Sequence, residues 1–267
     1  MRKIILFILL VSFTTTCKKA PVTGRRQLNL VSNEKLIPMS FQTYEAVLDT
    51  SKLSNDKEQV AMVKRVGRRI QKATEEYMAM KGQSDQLAGF EWEFNLIEAD
   101  IVNAWAMPGG KVAFYTGIMP ICKNEKGVAV VMGHEVAHAV AGHGAERMSG
   151  AQGIGILGTV GSILVGAGTG SSLSQEAFNQ AFGLGAGLTM LKFSRKHESE
   201  ADHIGLVFMA LAGYDPHTAP KFWERMSEMS GGEAPPEFLS THPSHDTRIS
   251  DLNVWIPEAM KYFKKRN

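Results

Sequence analysis

The sequence predicts an α+β fold that is mostly helical and contains one small antiparallel sheet of three strands. Apolar residues recur at helical spacing over residues 57–80, but they alternate with polar residues over 90–96, which is the period of a half-buried strand. From Asn124 onward the pattern is again helical. This order of helices, short sheet and more helices is typical of a single α+β domain.

Two helices are expected before the sheet, over Glu34–Leu48 and over Lys57–Met80, the second with Asn55 or Asp56 as its N-cap. The apolar face of the second helix comprises Val60, Val63, Val66, Ile70 and Ala73. Glycine and proline should interrupt the later helices at Gly213–Pro216, at Gly231–Pro236 and near Pro257.

The three strands follow from alternation and turn residues. Residues 90–96 form the first strand, Val102–Met107 the second and Lys111–Thr116 the third. Pro108, Gly109 and Gly110 are the turn residues that should join the second strand to the third. The sheet therefore precedes the helical region that begins near Asn124.

The composition is that of an ordinary globular protein. Apolar residues make up 44% and charged residues 21% of the chain, which excludes a disordered or collagen-like protein. Lys and Arg number 29 against 27 Asp and Glu, so no basic surface predicts a nucleic-acid partner. Two cysteines cannot form a disulfide scaffold, and Cys122 is expected to be a buried, inert thiol.

The N-terminus has the pattern of an export signal. Arg2 and Lys3 precede the apolar run Ile4–Phe13, which is too short to span a bilayer as a helix. Cys17 follows, as in bacterial lipoprotein signals whose cysteine is lipidated, although threonines replace the usual small residues before it. We expect a signal peptide over residues 1–16, a lipid-anchored tether over 17–32 and one domain over 33–267; the alternative is cleavage elsewhere.

The motif that carries chemistry is HExxH, formed by His134, Glu135 and His138. Successive helical residues are rotated by about 100°, so positions four apart lie on one face and both imidazoles can reach one ion. The glutamate between them projects beside the pair, where it can accept a proton from water. The motif therefore predicts a metal-dependent hydrolase that needs a third metal ligand.

Two arrangements could supply that ligand. In the metzincin pattern HExxHxxGxxH the third histidine comes three residues after a glycine, but here Gly142 is one place late and His143 one place early. On a continuous helix His143 would face away from the metal, so it is expected at the surface or behind a ligand. In the gluzincin pattern a later helix supplies a glutamate, and periodicity alone does not choose between Glu198 and Glu200.

Seven ordered pieces of the chain resemble zinc metallopeptidases of the HtpX and CAAX-prenyl-protease type, which are gluzincins. They fit best the secreted lipoprotein branch that includes BepA, LoiP and the mitochondrial Oma-type proteases. The pieces are Pro21–Leu28, Asn103–Gly110, Tyr115–Gly117, His134–His138, Ser194–Arg195 with Glu198, Ala201 and Asp202, Gly213–Pro216, and Thr241–Ser244 with Arg248.

The resemblance implies roles for individual residues. It implies one Zn²⁺ per chain held by His134, His138 and Glu198, with Asp202 as a supporting or proton-donating neighbour. His242 would approach the metal, either as an oxyanion donor or as a fourth ligand that blocks the site. An edge strand with Asn103, Ala104, Trp105 and Ala106 would bind an extended substrate by strand addition, unless this hairpin only covers the core.

The expected function is that of a zinc metalloendopeptidase that removes unfolded or misassembled envelope proteins, with Glu135 as general base. The expected location is the periplasmic face of a bacterial membrane, most simply the outer one, with outer-membrane assembly machinery as a possible partner. The alternative is a non-proteolytic lipoprotein chaperone or assembly factor with a structural zinc. The intact Glu135 argues against it, because a structural site has no use for a base.

The segment 150–188 is rich in glycine and nearly free of charge. Its Gly153-x-Gly155-x-x-Gly158 spelling has no preceding strand and predicts no dinucleotide site. One membrane crossing here would separate His134 and His138 from Glu198, so we expect a flexible flap or a membrane-touching segment over the site.

Overall fold

The computed structural model describes residues 17–28, 31–149, 178, 193–229, 237–242 and 247–264. The predicted signal peptide, nearly all of segment 150–188 and the predicted break at Gly231–Pro236 lie outside the described residues. Every residue of the HExxH motif and both candidate third ligands lie inside them.

Helices dominate the described chain, as predicted. Asp56 caps the long second helix by accepting hydrogen bonds from the N–H groups of Glu58 and Gln59. Among the described helices, none combines the length and hydrophobicity needed to cross a membrane. The helices named below are α1 (Asn33–Thr50), α2 (Lys57–Met80), α3 (Met119–Cys122), α4 (Glu125–Val140), α5 (Arg195–Leu211), α6 (Thr218–Glu228), α7 (Glu237–Thr241) and α8 (Arg248–Ala259).

Two small sheets accompany the helices. Strands β1 (Cys17–Lys19) and β2 (Arg26–Leu28) form an antiparallel hairpin near the N-terminus, referred to below as the N-terminal hairpin. Strands β3 (Glu93–Ile97), β4 (Ala104–Met107) and β5 (Lys111–Tyr115) form the predicted three-stranded sheet, in the order β3-β5-β4.

The prediction that this sheet is wholly antiparallel is wrong. β4 and β5 are antiparallel, as their tight turn requires, but β5 also pairs in parallel with β3. The reason is the strand order: β5, not β4, lies beside β3, and β5 runs in the same direction as β3. As a result β4 lies at an edge of the sheet, next to α4.

The functional residues are brought together by the close packing of α4 against α5. Gly133 and Gly205 meet at the crossing, where a Cβ on Gly133 would lie 2.9 Å from the Gly205 carbonyl oxygen. No larger residue fits on either helix at this point without moving the backbones apart. Because Gly133 directly precedes His134, the crossing sets the distance between the HExxH motif and the first turns of α5.

Candidate metal centre

Both histidines of the HExxH motif lie on α4 and turn their Nε2 atoms toward each other. His134 and His138 are buried, and these two nitrogens are 3.1 Å apart. The side chain of Asn124 caps α4 by accepting hydrogen bonds from the Lys126 and Gly127 N–H groups. The motif therefore converges on one point, as its spacing predicts.

Glu198 is the carboxylate that meets the two histidines. It lies in the first turn of α5, which Ser194 caps by accepting the His197 N–H. Its Oε1 is 3.3 Å from His138 Nε2, and its Oε2 is 3.4 Å from His134 Nε2. Of the two glutamates that periodicity left open, Glu198 is therefore the one that meets both histidines.

His242 is the fourth member of this cluster and directly follows α7. Its Nδ1 is 3.0 Å from Glu198 Oε1 and 3.3 Å from His134 Nε2. The buried ring stacks on Phe238, with centroids 4.5 Å apart. One ligand atom from each of His134, His138, Glu198 and His242 lies within 4.8 Å of the others.

The chemistry of this donor set fits Zn²⁺, for which imidazole nitrogens and one carboxylate are common ligands. Glu198 Oε2 is buried and has no hydrogen-bond partner among the described residues. Burial raises the pKa of Glu198, but the histidines around it outweigh burial and hold that pKa well below its usual value. Burial lowers the pKa of His138 well below its usual value, which leaves a neutral imidazole with a free lone pair.

Glu135 lies beside the cluster and is buried with it. Its Oε1 is 3.5 Å from His242 Nε2, and this oxygen has no hydrogen-bond partner within the described part of the chain. Burial raises the pKa of Glu135, and this effect outweighs the charges of His242 and His134, which lower it. A raised pKa makes this carboxylate a better proton acceptor near neutral pH.

Asp202 and Arg248 support His134 from behind. His134 Nδ1 is 2.8 Å from Asp202 Oδ1, and Arg248 donates to the same oxygen from Nη2 at 2.8 Å. Burial lowers the pKa of His134, but Asp202 and Glu198 outweigh it and raise that pKa to about 9. Arg248 is itself buried and lies over the ring of Trp223, 3.2 Å from its centroid.

A sequence profile of peptidase family M48 matches residues 64–256, which include all four residues of the cluster. The chain belongs to peptidase family M48. It is 36% identical over 254 residues to the mitochondrial metalloendopeptidase OMA1 of Schizosaccharomyces pombe, an alignment that covers 93% of this chain and 69% of that protein.

The alignments with two other relatives cover a smaller share of those proteins. Human metalloendopeptidase OMA1 is 29% identical over 266 residues, 94% of this chain and 48% of that protein. The beta-barrel assembly-enhancing protease of Escherichia coli is 33% identical over 166 residues, 60% of this chain and 33% of that protein. Together with the cluster, the M48 match confirms that the chain is a metalloendopeptidase with zinc as its cofactor.

His143 occupies a place in this M48 peptidase that the helical wheel did not predict. α4 ends at Val140, and Gly142 takes a left-handed φ of 70°, so the chain turns before helical residues 143–149. The turn returns His143 to the buried side, where its Nδ1 is 2.8 Å from His138 Nδ1. Of the two positions expected for His143, the structure therefore shows the one behind His138 and not the one at the surface.

Behind His143 lies a group of charged residues that sequence reasoning missed. His143 Nε2 is 3.0 Å from Glu200 Oε2, and Arg25 of the N-terminal hairpin donates to that oxygen from Nε at 2.7 Å. Arg25 also forms a two-pronged pair with Glu146, at 2.9 and 2.7 Å. The only sequence signal for Arg25 was its place in Pro21–Leu28, one of the pieces that resemble the family.

The predicted edge strand lies beside the cluster. Among the described strands, β4 pairs only with β5. The Asn103 carbonyl, just before β4, accepts a hydrogen bond from the Tyr115 N–H, so the backbone groups of every second residue from Asn103 onward face β5. The backbone groups of Ala104 and Ala106 therefore face the free edge, and the Ala106 N–H donates to Glu135. The side chains of Asn103, Ala104 and Trp105 are buried.

The other described histidines, His197, His203 and His217, are not members of the four-residue cluster, and two of them stack on neighbouring rings. His197 stacks on His143 and pairs with Glu146 at 3.1 Å. His203 stacks on Trp255, and exposed His217 pairs with Asp215; His245 is outside the described residues. The thiol of Cys122 is fully buried, and burial raises its pKa to about 12, which confirms an inert cysteine.

Proposed function

We propose that this M48 peptidase degrades unfolded or misassembled proteins of the cell envelope, with zinc held by His134, His138 and Glu198. The observation that carries the proposal is the position of Glu135, a buried carboxylate with an unpartnered oxygen among the described residues, directly beside the four-residue cluster. A purely structural zinc site does not need a carboxylate that is not a ligand. In a hydrolase, such a carboxylate accepts a proton from the attacking water.

The proposed mechanism assigns proton movement to Glu135. Bound zinc would supply a Lewis acid that polarises the scissile carbonyl and makes water acidic enough to react near neutral pH. Glu135 takes the proton from the attacking water and returns it to the leaving amine. Asp202 keeps His134 oriented with its Nδ1 toward the carboxylate, so that Nε2 stays directed at the cluster.

His242 is proposed to be a fourth ligand at rest. Its Nδ1 lies among the other three ligand atoms, and its Nε2 is 3.5 Å from Glu135 Oε1, so the ring fills the space between ligands and base. A zinc site with four protein ligands has no position for water. Withdrawal of His242 would then open the site. The competing role, donation to the oxyanion, requires the same ring to remain close to the cluster.

The substrate is proposed to bind as an added strand along β4. The carbonyls of Ala104 and Ala106 lie on the free edge, where they can accept from an added strand. The Ala104 N–H donates to Asn103 Oδ1, and the Ala106 N–H donates to Glu135. Backbone pairing recognises an extended shape more than a sequence, which favours unfolded segments over folded domains.

The envelope location rests on the export-type N-terminus and on the proposed lipidation of Cys17. Of the similar proteins, one is named a beta-barrel assembly-enhancing protease and others are named mitochondrial. In a bacterium that processes lipoproteins, the wild type should fractionate with membranes and Cys17→Ser should not. Equal membrane association of both would remove Cys17 as the anchor.

The activity is tested on an unfolded protein such as reduced casein. Zinc-loaded wild type should cleave it, a chelator should stop cleavage, and added zinc should restore it. The assembly-factor alternative predicts binding of unfolded protein without new fragments. Absence of cleavage from a folded, zinc-loaded chain, including the His242→Ala variant with its site opened, would contradict the proposal.

A further inference from the structure

We propose that Arg25 of the N-terminal hairpin is a positioning residue for the zinc site, acting on His138 through Glu200 and His143. The proposal rests on the proposed function, because it takes His138 as a zinc ligand. It adds that the segment between Cys17 and the domain is part of the support of the metal centre, as well as a tether.

The first step is the contact of the N-terminal hairpin with Glu200. The Glu200 side chain is 4% exposed, and its two oxygens accept hydrogen bonds from Thr23 Oγ1 and Arg25 Nε. The turn that presents these donors includes Gly24, with a left-handed φ of 65°. Arg25 also pairs with Glu146, in the helical segment that follows α4. The guanidinium therefore ties the hairpin to two separate helices.

The second step is the placement of protons along the chain of contacts. The Glu200 carboxylate, beside a guanidinium, only accepts hydrogen bonds, so His143 must donate from Nε2 across 3.0 Å. A neutral imidazole carries one N–H, which leaves His143 Nδ1 as an acceptor. His138 then donates from Nδ1 across 2.8 Å, and its Nε2 keeps the lone pair that a metal requires.

The third step is the parallel with the other histidine. His134 donates from Nδ1 directly to Asp202, and Arg248 pairs with that carboxylate. Behind His138 the same series of a carboxylate and an arginine follows, with the imidazole of His143 inserted before Glu200 and Arg25. Partners behind a metal-binding histidine fix its tautomer and ring orientation, and their loss typically weakens metal affinity by about 10–100-fold. Arg25 is thus the counterpart of Arg248.

The test measures zinc affinity of the mature chain by competition with a chromophoric chelator. Arg25→Ala should raise the zinc Kd by about 10–100-fold, and Arg25→Lys should recover part of the loss. Arg26→Ala is the matched control, since Arg26 is the exposed neighbour in β2 and should leave the Kd unchanged. Circular dichroism of each zinc-free variant establishes that it is folded at the assay temperature.

Two further readouts separate positioning from simple stabilisation. His143→Phe keeps a ring to stack on His197 but removes the acceptor, and it should weaken zinc binding as much as Arg25→Ala. In ¹⁵N-histidine spectra of the zinc-loaded wild type, the His138 Nδ1–H should be protected from exchange, and this protection should be lost in both variants.

The proposal is overturned if folded Arg25→Ala and His143→Phe bind zinc within twofold of the wild type. A different outcome concerns the proposed function: if His138→Ala retains wild-type zinc affinity, the ligand assignment itself fails. Loss of zinc in His138→Ala together with unchanged affinity in Arg25→Ala would leave the peptidase assignment intact and reject only the role of the hairpin.

Discussion

His134 and His138 come from adjacent turns of α4, yet they are supported by different parts of the molecule. Behind His134 stand Asp202 and Arg248, both buried, from helices that pack in the core. Behind His138 stands a longer series that ends at Arg25 of the N-terminal hairpin, whose side chain is 15% exposed. We infer that the His134 side of the site is built with the fold, whereas the His138 side depends on a docked segment.

The largest expected effect distinguishes the two candidate glutamates. Glu198→Ala removes the carboxylate that contacts both histidines, so zinc content should fall from about one ion per chain to nearly none. Glu200→Ala leaves all four cluster residues in place and should keep one zinc with about 10–100-fold weaker affinity. Metal analysis and chelator competition measure both quantities. Equal zinc retention in the two variants would mean that the third ligand is wrongly assigned.

The next effect compares the two arginines through the free energy of unfolding. Arg248 pairs with Asp202 at 2.7 Å and with Glu198 at 3.4 Å. Arg248→Ala leaves these buried carboxylates without the guanidinium, and isolating buried charges in this way typically costs about 3–5 kcal/mol. Arg25→Ala breaks pairs that are partly exposed to solvent and should cost about 1–3 kcal/mol. Urea unfolding of the zinc-free chains measures both, with Arg26→Ala as the control. A larger loss for Arg25→Ala would reverse the comparison.

The fold and the His134 side could be predicted because their signals are local in the sequence. Helical spacing located α2 and narrowed its N-cap to Asn55 or Asp56, of which the structure shows Asp56. The i, i+4 rule brought His134 and His138 together. The resemblance to known peptidases then singled out Glu198 and Asp202, four residues apart on α5. Each of these inferences needs only a regular helix and a matching motif.

The remaining features depend on geometry that no local pattern carries. The left-handed φ of Gly142 breaks the helix and returns His143 to the buried side, so a continuous helical wheel placed it wrongly. Arg25 meets Glu200 across 175 positions of sequence. The parallel pairing of β3 with β5 likewise follows from strand order, which alternation of residues does not encode. These are contacts that only the assembled chain defines.

The third effect concerns His242, which touches ligands on both sides of the comparison. If His242 is a fourth ligand at rest, its replacement by alanine should raise basal cleavage of unfolded protein several-fold, while zinc affinity falls only modestly. As an oxyanion donor, its loss should instead lower kcat by roughly 10²-fold or more with zinc unchanged. We expect the rise in basal cleavage. Unchanged activity and unchanged zinc in His242→Ala would remove His242 from both roles.

The smallest effect is a pH dependence of the contact between Glu146 and Arg25 of the N-terminal hairpin. Burial raises the pKa of Glu146, but hydrogen bonds from Arg25 and His197 outweigh it and lower that pKa to about 2. A carboxyl with a lowered pKa stabilises the fold above its ordinary pKa of about 4.3 and loses this contribution as the pH falls toward 2. Replacement of Glu146 by glutamine leaves Glu200, the other carboxylate that faces Arg25, in place.

Thermal unfolding of zinc-free wild type and Glu146→Gln measures this effect between pH 6 and pH 2. The wild type should be more stable by roughly 1–3 kcal/mol at pH 6, and the difference should disappear near pH 2. A difference that stays constant over this range would show that Glu146 acts through packing and that its charge does not hold the hairpin.

The central claim is that the cluster is a catalytic zinc centre with Glu135 as its base. The most direct measurement compares cleavage of an unfolded protein by wild type and Glu135→Gln at equal, measured zinc content. The glutamine keeps the shape of the side chain but cannot accept the proton, so kcat/KM should fall by roughly 10²–10⁴-fold with zinc unchanged. Equal cleavage by the two zinc-loaded chains would show that Glu135 is not the base.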